Sequence, residues 1–531
     1  MSSSRLFQLC TVELNSLWDP HHFLFLLKSL VISCWISISV PVTCSRSRGS
    51  VSVMISEFES SAVHLKKVDH ETQRRSASCI WCSKVCGFIL LLVFITASYM
   101  LSCKRKTLLF DPYLMEEDLS EDALRDVVQS ISAKVKFRAR RVPAVSELII
   151  LEEHMFSVAP KRFLPDVKNP CWFQELRGDV SVDPYGSNLF GRSFRPIQHI
   201  FEQLSVSFRQ LVTRHEGKLQ RLRCLPYFYI IGQPKCGTTD LYERLRLHPD
   251  VRLTQPKEPH WWSRKRLGVF QYGGRPHTRF PLDHYLDLFD PVTLQIQQSL
   301  LGNSSSNIIT GEASASTMWD NNAWLYLHGN SRGAEPPALV QDFIHALQPD
   351  ARFIAILRDP VERLYSDYLY FGTSDKSALD FHQKVCESLW MFEDCLRDAG
   401  LRACVYNNTL NNAMSVRLQV GLYVVFLLDW LSVFSRDQLL VLRLEDHALN
   451  PELSMSRIFH FLRLGALSDQ KQRQISKRPA SNTRRASDRD LGPMRADTRE
   501  LLSLFYSPFN QRLAQVLQDE SFTWDARSEH A

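Results

Sequence analysis

The hydrophobic pattern changes character along the chain. From about Leu225 onward, short apolar runs alternate with segments whose apolar residues recur every three or four positions. "YFYIIG" precedes a helical pattern, "IITGEAS" is a further strand, and "ARFIAILRDP" leads into a helix opening at Pro360. "QLLVLRLEDH" is followed by helical spacing from Pro451 to Gly465. Strands alternating with amphipathic helices predict an α/β fold, a P-loop-like parallel sheet with flanking helices on both faces. Near the C-terminus, "RRASDRDLGPMRADTRELLSLFYSPFNQRLAQVL" reads as a basic loop followed by a helix pair.

Upstream the pattern differs. "VCGFILLLVFITASYMLSC", Val85 to Cys103, carries no charge. Nineteen residues at helical rise make roughly 28 Å, enough to cross a bilayer core. Lysines and arginines are denser before this run than after it, which predicts the N-terminus inside and the rest outside. No A-x-A cleavage pattern follows, so the run reads as a transmembrane signal-anchor. A second apolar run, Phe23 to Cys44, is broken by Lys28 and Pro41. It is left open between a second membrane segment, a signal-like segment and a sticky tail. The expected organisation is a cytoplasmic tail (1–84), the anchor (85–103), a luminal stem or accessory region (104–220) and a catalytic domain (221–531). Within the stem, "DLSEDALRDVVQSISAKV" has an acidic start and helical apolar spacing, whereas "NPCWFQEL" and "DPYGSNLFG" read as loops.

Net charge is only +6, which argues against a chromatin-type protein and a nucleic-acid partner but leaves room for a local basic groove. Cys79, Cys82, Cys86 and Cys103 cluster at the membrane run; Cys79 and Cys82 form a CxxC with no second pair at zinc spacing, so no metal site is expected. One disulfide is expected among Cys386, Cys395 and Cys404. Sequons stand at Asn303 and Asn407.

The chemistry concentrates in "IIGQPKCGTTDLYERL". A strand, tight turn and helix start arrange backbone N–H groups around an anion. The lysine, Lys235, sits in mid-loop rather than just before the Ser/Thr, unlike a Walker ATPase loop. Gly237 allows close backbone approach, and Thr238 and Thr239 open the helix. "FIAILRDPVERLYSDY" repeats the logic: Arg358 ends a strand, Pro360 starts a helix, and Ser366 lies on its second turn. Two anion grips at neighbouring strand ends suit a nucleotide phosphorylated at two positions.

These two motifs, with "LRLHPDV" between them, resemble those of Golgi carbohydrate sulfotransferases from roughly Leu225 to Trp524. The resemblance implies a sulfotransferase fold and a sulfate donor, 3′-phosphoadenosine 5′-phosphosulfate (PAPS), with no metal required. It assigns Lys235, Gly237, Thr238 and Thr239 to the 5′-phosphosulfate, and Arg358 and Ser366 to the 3′-phosphate. Glu258, in "PKEPHWW", matches the base of related glycosaminoglycan enzymes, with His260 beside it. The sequence departs from heparan-type members in having Ala313, not lysine, after Glu312, and no Lys-Gly-Arg in the C-terminal covering loop. Arg484 and Arg485 are assigned to that loop's role. The resemblance further implies membrane attachment and an acceptor in chondroitin or dermatan sulfate chains, the six-hydroxyl of N-acetylgalactosamine 4-sulfate. Trp261 and Trp262, followed by "SRKR", are expected to cover a sugar face and pair its anionic groups. Two other classes compete: a glycan-binding membrane protein without turnover, and a P-loop kinase, which the lysine position disfavours.

Overall fold

The computed structural model describes residues 121–525, apart from 177–178, 216, 255, 269–278, 302–305, 322–334 and 373–375. Both apolar runs, the cysteines around Val85–Cys103, and Asn303 lie outside the described residues. No helix of the described residues is long and apolar enough to cross a membrane.

The strands that matter form two sheets. β1 (Cys171–Glu175), β2 (Val212–His215) and β3 (Lys218–Cys224) make an antiparallel sheet in the order β1-β3-β2. β4 (Phe228–Gly232), β5 (Val251–Leu253), β6 (Ile309–Ala313), β7 (Arg352–Leu357) and β8 (Leu439–Arg443) make a second sheet, order β5-β6-β4-β7-β8. All its pairings are parallel, as the alternating pattern predicts. The helices used below are α1 (Glu121–Lys134), α2 (Arg195–Leu211), α3 (Thr238–Leu245), α4 (Pro360–Phe371), α5 (Ala378–Asp398), α6 (Pro451–Phe461) and α7 (Ala496–Leu517).

Central strands β4 and β7 are almost wholly apolar because both faces are covered. Period two sorts their side chains. Tyr229, Ile231, Phe353, Ala355 and Leu357 enter one core cluster, and Phe228, Ile230, Ile354 and Ile356 enter another on the opposite face. Gly311 of β6 is required by this packing, since a Cβ there would stand 2.4 Å from the Phe228 ring. After β4 the chain builds β5 and β6 on one side, then crosses to build β7 and β8 on the other. The C-terminal ends of β4 and β7 therefore flank the point where the winding reverses, the place where such sheets bind ligands.

Apolar residues between Leu124 and Leu211 share one core cluster with the parallel sheet. α1 forms as expected and buries Leu124, Val127, Val128 and Ile131. Two loop expectations are corrected. "NPCWFQEL" contributes β1, because Cys171 pairs in register with Cys224 of β3 and is disulfide-bonded to it. "DPYGSNLFG" leads into a short helix, Leu189–Ser193, capped by the Asn188 side chain. The C-terminal helix pair is instead a short turn of helix (Ala486–Asp490) and one long helix, α7, with Pro508 inside it. A proline there costs about 3 kcal/mol, which the burial of Leu502, Phe505, Tyr506, Phe509 and Leu513 outweighs. Among the three candidate cysteines, Cys395 and Cys404 are bridged and Cys386 is free and buried. Asn407 of the sequon caps a helix, its side-chain oxygen accepting from Leu410 N at 3.0 Å.

Candidate active site

β4 ends at Gly232, and residues 233–237 turn into α3. Gly237 caps the helix with φ 91°, and a Cβ there would stand 2.7 Å from Leu444 Cδ1. Both the left-handed backbone and the close approach demand glycine. Lys235 itself has φ 66°. The N–H groups of Lys235, Gly237, Thr238 and Thr239 donate to no protein group among the described residues. Four converging donors at a helix N-terminus form an anion cradle.

β7 lies beside β4 in parallel register, Gly232 opposite Ala355, so the next turn opens at the same edge. Arg358 follows β7, and one of its terminal nitrogens donates to Glu362 at 3.2 Å. Asp359 caps α4 by accepting from Val361 N at 2.9 Å. Ser366 lies half-buried on the second turn, as the spacing predicts.

A third segment reaches the cradle from the C-terminal side. Arg244 of α3 donates to the carbonyls of Ile475 at 2.5 Å, Ser476 at 3.0 Å and Arg478 at 2.6 Å. Asp240 accepts from Ser481 N at 2.9 Å. Residues 475–481 are thus pinned to α3, and the chain continues to Arg484, which lies over the Tyr365 ring, and Arg485, over the Tyr370 ring, each 5.5 Å from the centroid. The Lys235 ammonium sits 3.6 Å from the Tyr370 centroid. Burial lowers the Lys235 pKa, Arg358 and Arg485 push the same way, and Asp367 opposes them.

Glu258 and His260 lie close by, on a segment that follows β5 and runs alongside the end of β6, Glu258 N donating to Ala313 O at 2.9 Å. Both have positive φ, 66° and 52°. For side chains with a Cβ this backbone is uncommon, and such residues concentrate at functional sites. The Lys257 ammonium donates to Glu258 and stands 3.5 Å from Thr238 Oγ1. Lys257 therefore bridges Glu258 and the anion cradle. Burial works against the Glu258 charge, but the His260 hydrogen bond and the Lys257 ammonium prevail and hold its pKa at about 2.

An ionised carboxylate only accepts, which fixes the histidine's tautomer. His260 Nε2 lies 3.2 Å from Glu258 Oε2 and carries the proton. Nδ1 then accepts from the Ser316 hydroxyl at 2.7 Å, and Ser316 Oγ accepts from Ser263 at 2.7 Å. Burial depresses the His260 pKa, partly opposed by Glu258, so the ring is neutral at pH 7. Beneath it, Ser314 Oγ accepts from His260 N at 3.0 Å and donates to Glu312. Burial pushes Glu312 up to about 7, with Ser314 opposing and Glu258 reinforcing the shift.

Lys235, Gly237, Thr238, Thr239, Arg358, Glu258, His260 and Arg485 thus gather at the C-terminal end of the parallel sheet, with Arg484 adjoining, and Ser366 lies on α4 between Tyr365, which Arg484 covers, and Tyr370, which Lys235 and Arg485 cover. The expected sugar-facing role of Trp261 and Trp262 is corrected. They are 2% and 1% exposed. Trp261 stacks on Tyr285, and its indole N–H donates to Phe280 O at 2.8 Å. Arg266 is buried over the Phe343 ring, Lys265 lies over Phe190, and Arg264 pairs with Asp320. The segment is core rather than acceptor surface. The sequence reading missed Lys257, whose position beside Glu258 was the available signal, and Ser316, which only the fold brings near.

The sulfotransferase-domain family matches residues 225–491. Together with the parallel sheet and the anion cradle, this identifies the chain as a member of the sulfotransferase family and an enzyme that transfers sulfate. It is 50% identical over 480 residues to human "Carbohydrate sulfotransferase 15", covering 83% of this chain and 85% of that protein. The mouse protein of the same name matches at the same identity and coverage. Among solved structures, a sulfotransferase from Alicyclobacillus acidocaldarius aligns over 56% of this chain and 96% of its own, at 24% identity and a TM-score of 0.36.

Proposed function

We propose that this enzyme transfers sulfate from PAPS to the six-hydroxyl of N-acetylgalactosamine 4-sulfate in chondroitin or dermatan sulfate, giving the 4,6-disulfated sugar. The observation that carries the acceptor class is the 50% identity over 85% of a protein named as a carbohydrate sulfotransferase. The apolar run at 85–103 supports a single-pass Golgi membrane protein with its catalytic part in the lumen.

The cradle suits the donor, since four N–H groups that donate to no protein group among the described residues stand beside the Lys235 side chain at the start of α3. When bound, PAPS supplies a sulfuryl group on a phosphate leaving group. The cradle and Lys235 would bind the phosphosulfate end and stabilise charge growing on the departing phosphate. Arg358 and Ser366 would hold the 3′-phosphate, with Arg484 and Arg485 closing over the donor. Glu258 would take the proton of the attacking hydroxyl as the new O–S bond forms and the old one breaks. A carboxylate held at about 2 is a weak resting base. Lys257 offers a remedy, because an anion in the cradle beside Thr238 draws part of its charge away from Glu258. His260, oriented by Ser316, keeps the carboxylate aimed.

The test is PAPS-dependent sulfate transfer to desulfated chondroitin, chondroitin 4-sulfate, dermatan sulfate and heparan sulfate, followed by digestion and disaccharide analysis. The expected product is 4,6-disulfated N-acetylgalactosamine. Sulfate mainly on glucosamine, or equal transfer to desulfated chondroitin, would overturn the acceptor reading.

A further inference from the structure

With Trp261 and Trp262 in the core, the acceptor sugar needs another surface. The C-terminal end of α4 supplies one. Tyr370 and Phe371 are 41% and 56% exposed, although large aromatics usually bury most of their area. Their rings meet edge to face at 4.8 Å and form a corner. Tyr370 borders the reacting centre, since the Lys235 ammonium lies against its face.

The corner has a cationic wall. Arg417 lies 4.6 Å from the Phe371 centroid and 5.6 Å from that of Trp319. Its Nε and one terminal nitrogen bond Asp367. The other terminal nitrogen donates to no protein group among the described residues, and the side chain is 28% exposed. Asp367 is shared with buried Arg363, so the group keeps a net positive charge. An exposed aromatic corner, walled by an arginine with donors to spare and continuous with the transfer point, fits a ring with an apolar C–H face and an anionic substituent. A sulfated sugar has both.

We propose that Tyr370 and Phe371, with Arg417 as the anionic contact, are the platform that seats the acceptor sugar. This rests on the carbohydrate-acceptor reading above. The same helix grips the donor through Ser366, one turn before Tyr370, so donor and acceptor are registered by a single rigid element.

The test uses Phe371→Ala, Tyr370→Ala and the double variant, with Phe371→Trp as the conservative control. KM for chondroitin 4-sulfate and KM for PAPS are measured separately, together with binding of adenosine 3′,5′-bisphosphate. Phe371→Ala should raise the acceptor KM several-fold and the double variant on the order of tenfold, with Phe371→Trp near wild type; donor KM and nucleotide binding should stay within twofold in Phe371→Ala, whereas Tyr370→Ala, which takes a ring away from the Lys235 ammonium and Arg485, shifts them as well. Both side chains are largely exposed, so the thermal midpoint should hold. An unchanged acceptor KM in the folded double variant, or a donor KM that rises in parallel with the acceptor KM in Phe371→Ala, overturns the platform. Should wild type sulfate a different glycan, that glycan becomes the assay acceptor, and the platform stands or falls on the same ratio. Wild type that sulfates no glycan at all would sink the carbohydrate reading and the platform with it.

Discussion

Removing the Lys235 ammonium tests the centre of the mechanism. The side chain is half-buried, so an effective dielectric of about 20 applies, and a unit charge 4 Å away interacts with it by about 4 kcal/mol. Much of that acts on the donor before reaction. If about half a unit of new charge develops on the leaving oxygen, about 2 kcal/mol is specific to the transition state. Lys235→Ala should then lower kcat about 30-fold and raise the donor KM by a similar factor, so that kcat/KM falls about 10³-fold. Lys235→Arg keeps the charge on a longer, forked side chain and should recover part of the loss. Both variants carry the same left-handed backbone penalty as lysine at φ 66°, so the comparison isolates the ammonium. The assay is labelled-sulfate transfer from PAPS at saturating acceptor, alongside a thermal melt. A folded Lys235→Ala enzyme whose kcat/KM falls less than tenfold would refute the role given to this lysine.

Arg358→Ala should raise the PAPS KM by about 10-fold or more and Ser366→Ala by about fivefold, the sizes of a charged and a neutral hydrogen bond; an unchanged KM in both would remove the 3′-phosphate assignment. Glu312 has a folded pKa of about 7, raised from an ordinary 4.5, so its contribution to stability is full below about pH 4.5 and is lost as pH rises through 7. That loss levels off at about 3 kcal/mol, and Glu312→Gln, which can still accept from Ser314, should abolish it; parallel denaturation profiles of the two proteins between pH 5 and 8 would contradict this. The Cys171–Cys224 bridge spans 53 residues of chain, worth about 4 kcal/mol by loop entropy, and the Cys171→Ala/Cys224→Ala pair should lose that much in urea melts, less than about 1 kcal/mol counting against it.

Features governed by neighbours in sequence were legible. β4 and β7 announce themselves as apolar runs because both their faces are covered, and the turns after them carry Lys235, Gly237 and Arg358 at local spacing. Features governed by distant partners were not. β1 looked like a loop because its register partner, β3, begins more than forty residues later. "WWSRKR" was misread because composition cannot say which way a turn faces. Trp261, Trp262 and Arg266 point inward to Tyr285 and Phe343, partners that only the fold supplies. The exposed corner at Tyr370 and Phe371 sits at the end of an amphipathic helix whose pattern reads as ordinary core spacing. Ser316 became visible only once β6 brought it against His260.

The sheet order explains why the parts land where the chemistry needs them. Reading across β6, β4 and β7, the strand ends carry in turn the support for the base, the anion cradle, and the second anion grip. Neighbouring parallel strands are about 4.8 Å apart, so the outer two of these three are separated by about 10 Å. The two anion grips stand on the adjacent strands β4 and β7 and would take the 5′ and 3′ anionic groups of one nucleoside, while the wider span separates the second grip from the proposed base beside β6. The base need not come from β6 itself. Glu258 arrives on the strained segment after β5 and is fixed there by Ala313 O, while Ser314 and Ser316 of the β6 extension hold His260. On this segment Glu258 and His260 take positive φ, and Lys257 beside them reaches Thr238 at 3.5 Å. With the proposed assignments, the winding order that places β4 between β6 and β7 would turn the reacting end of the donor toward Glu258, and an acceptor hydroxyl would approach from that side.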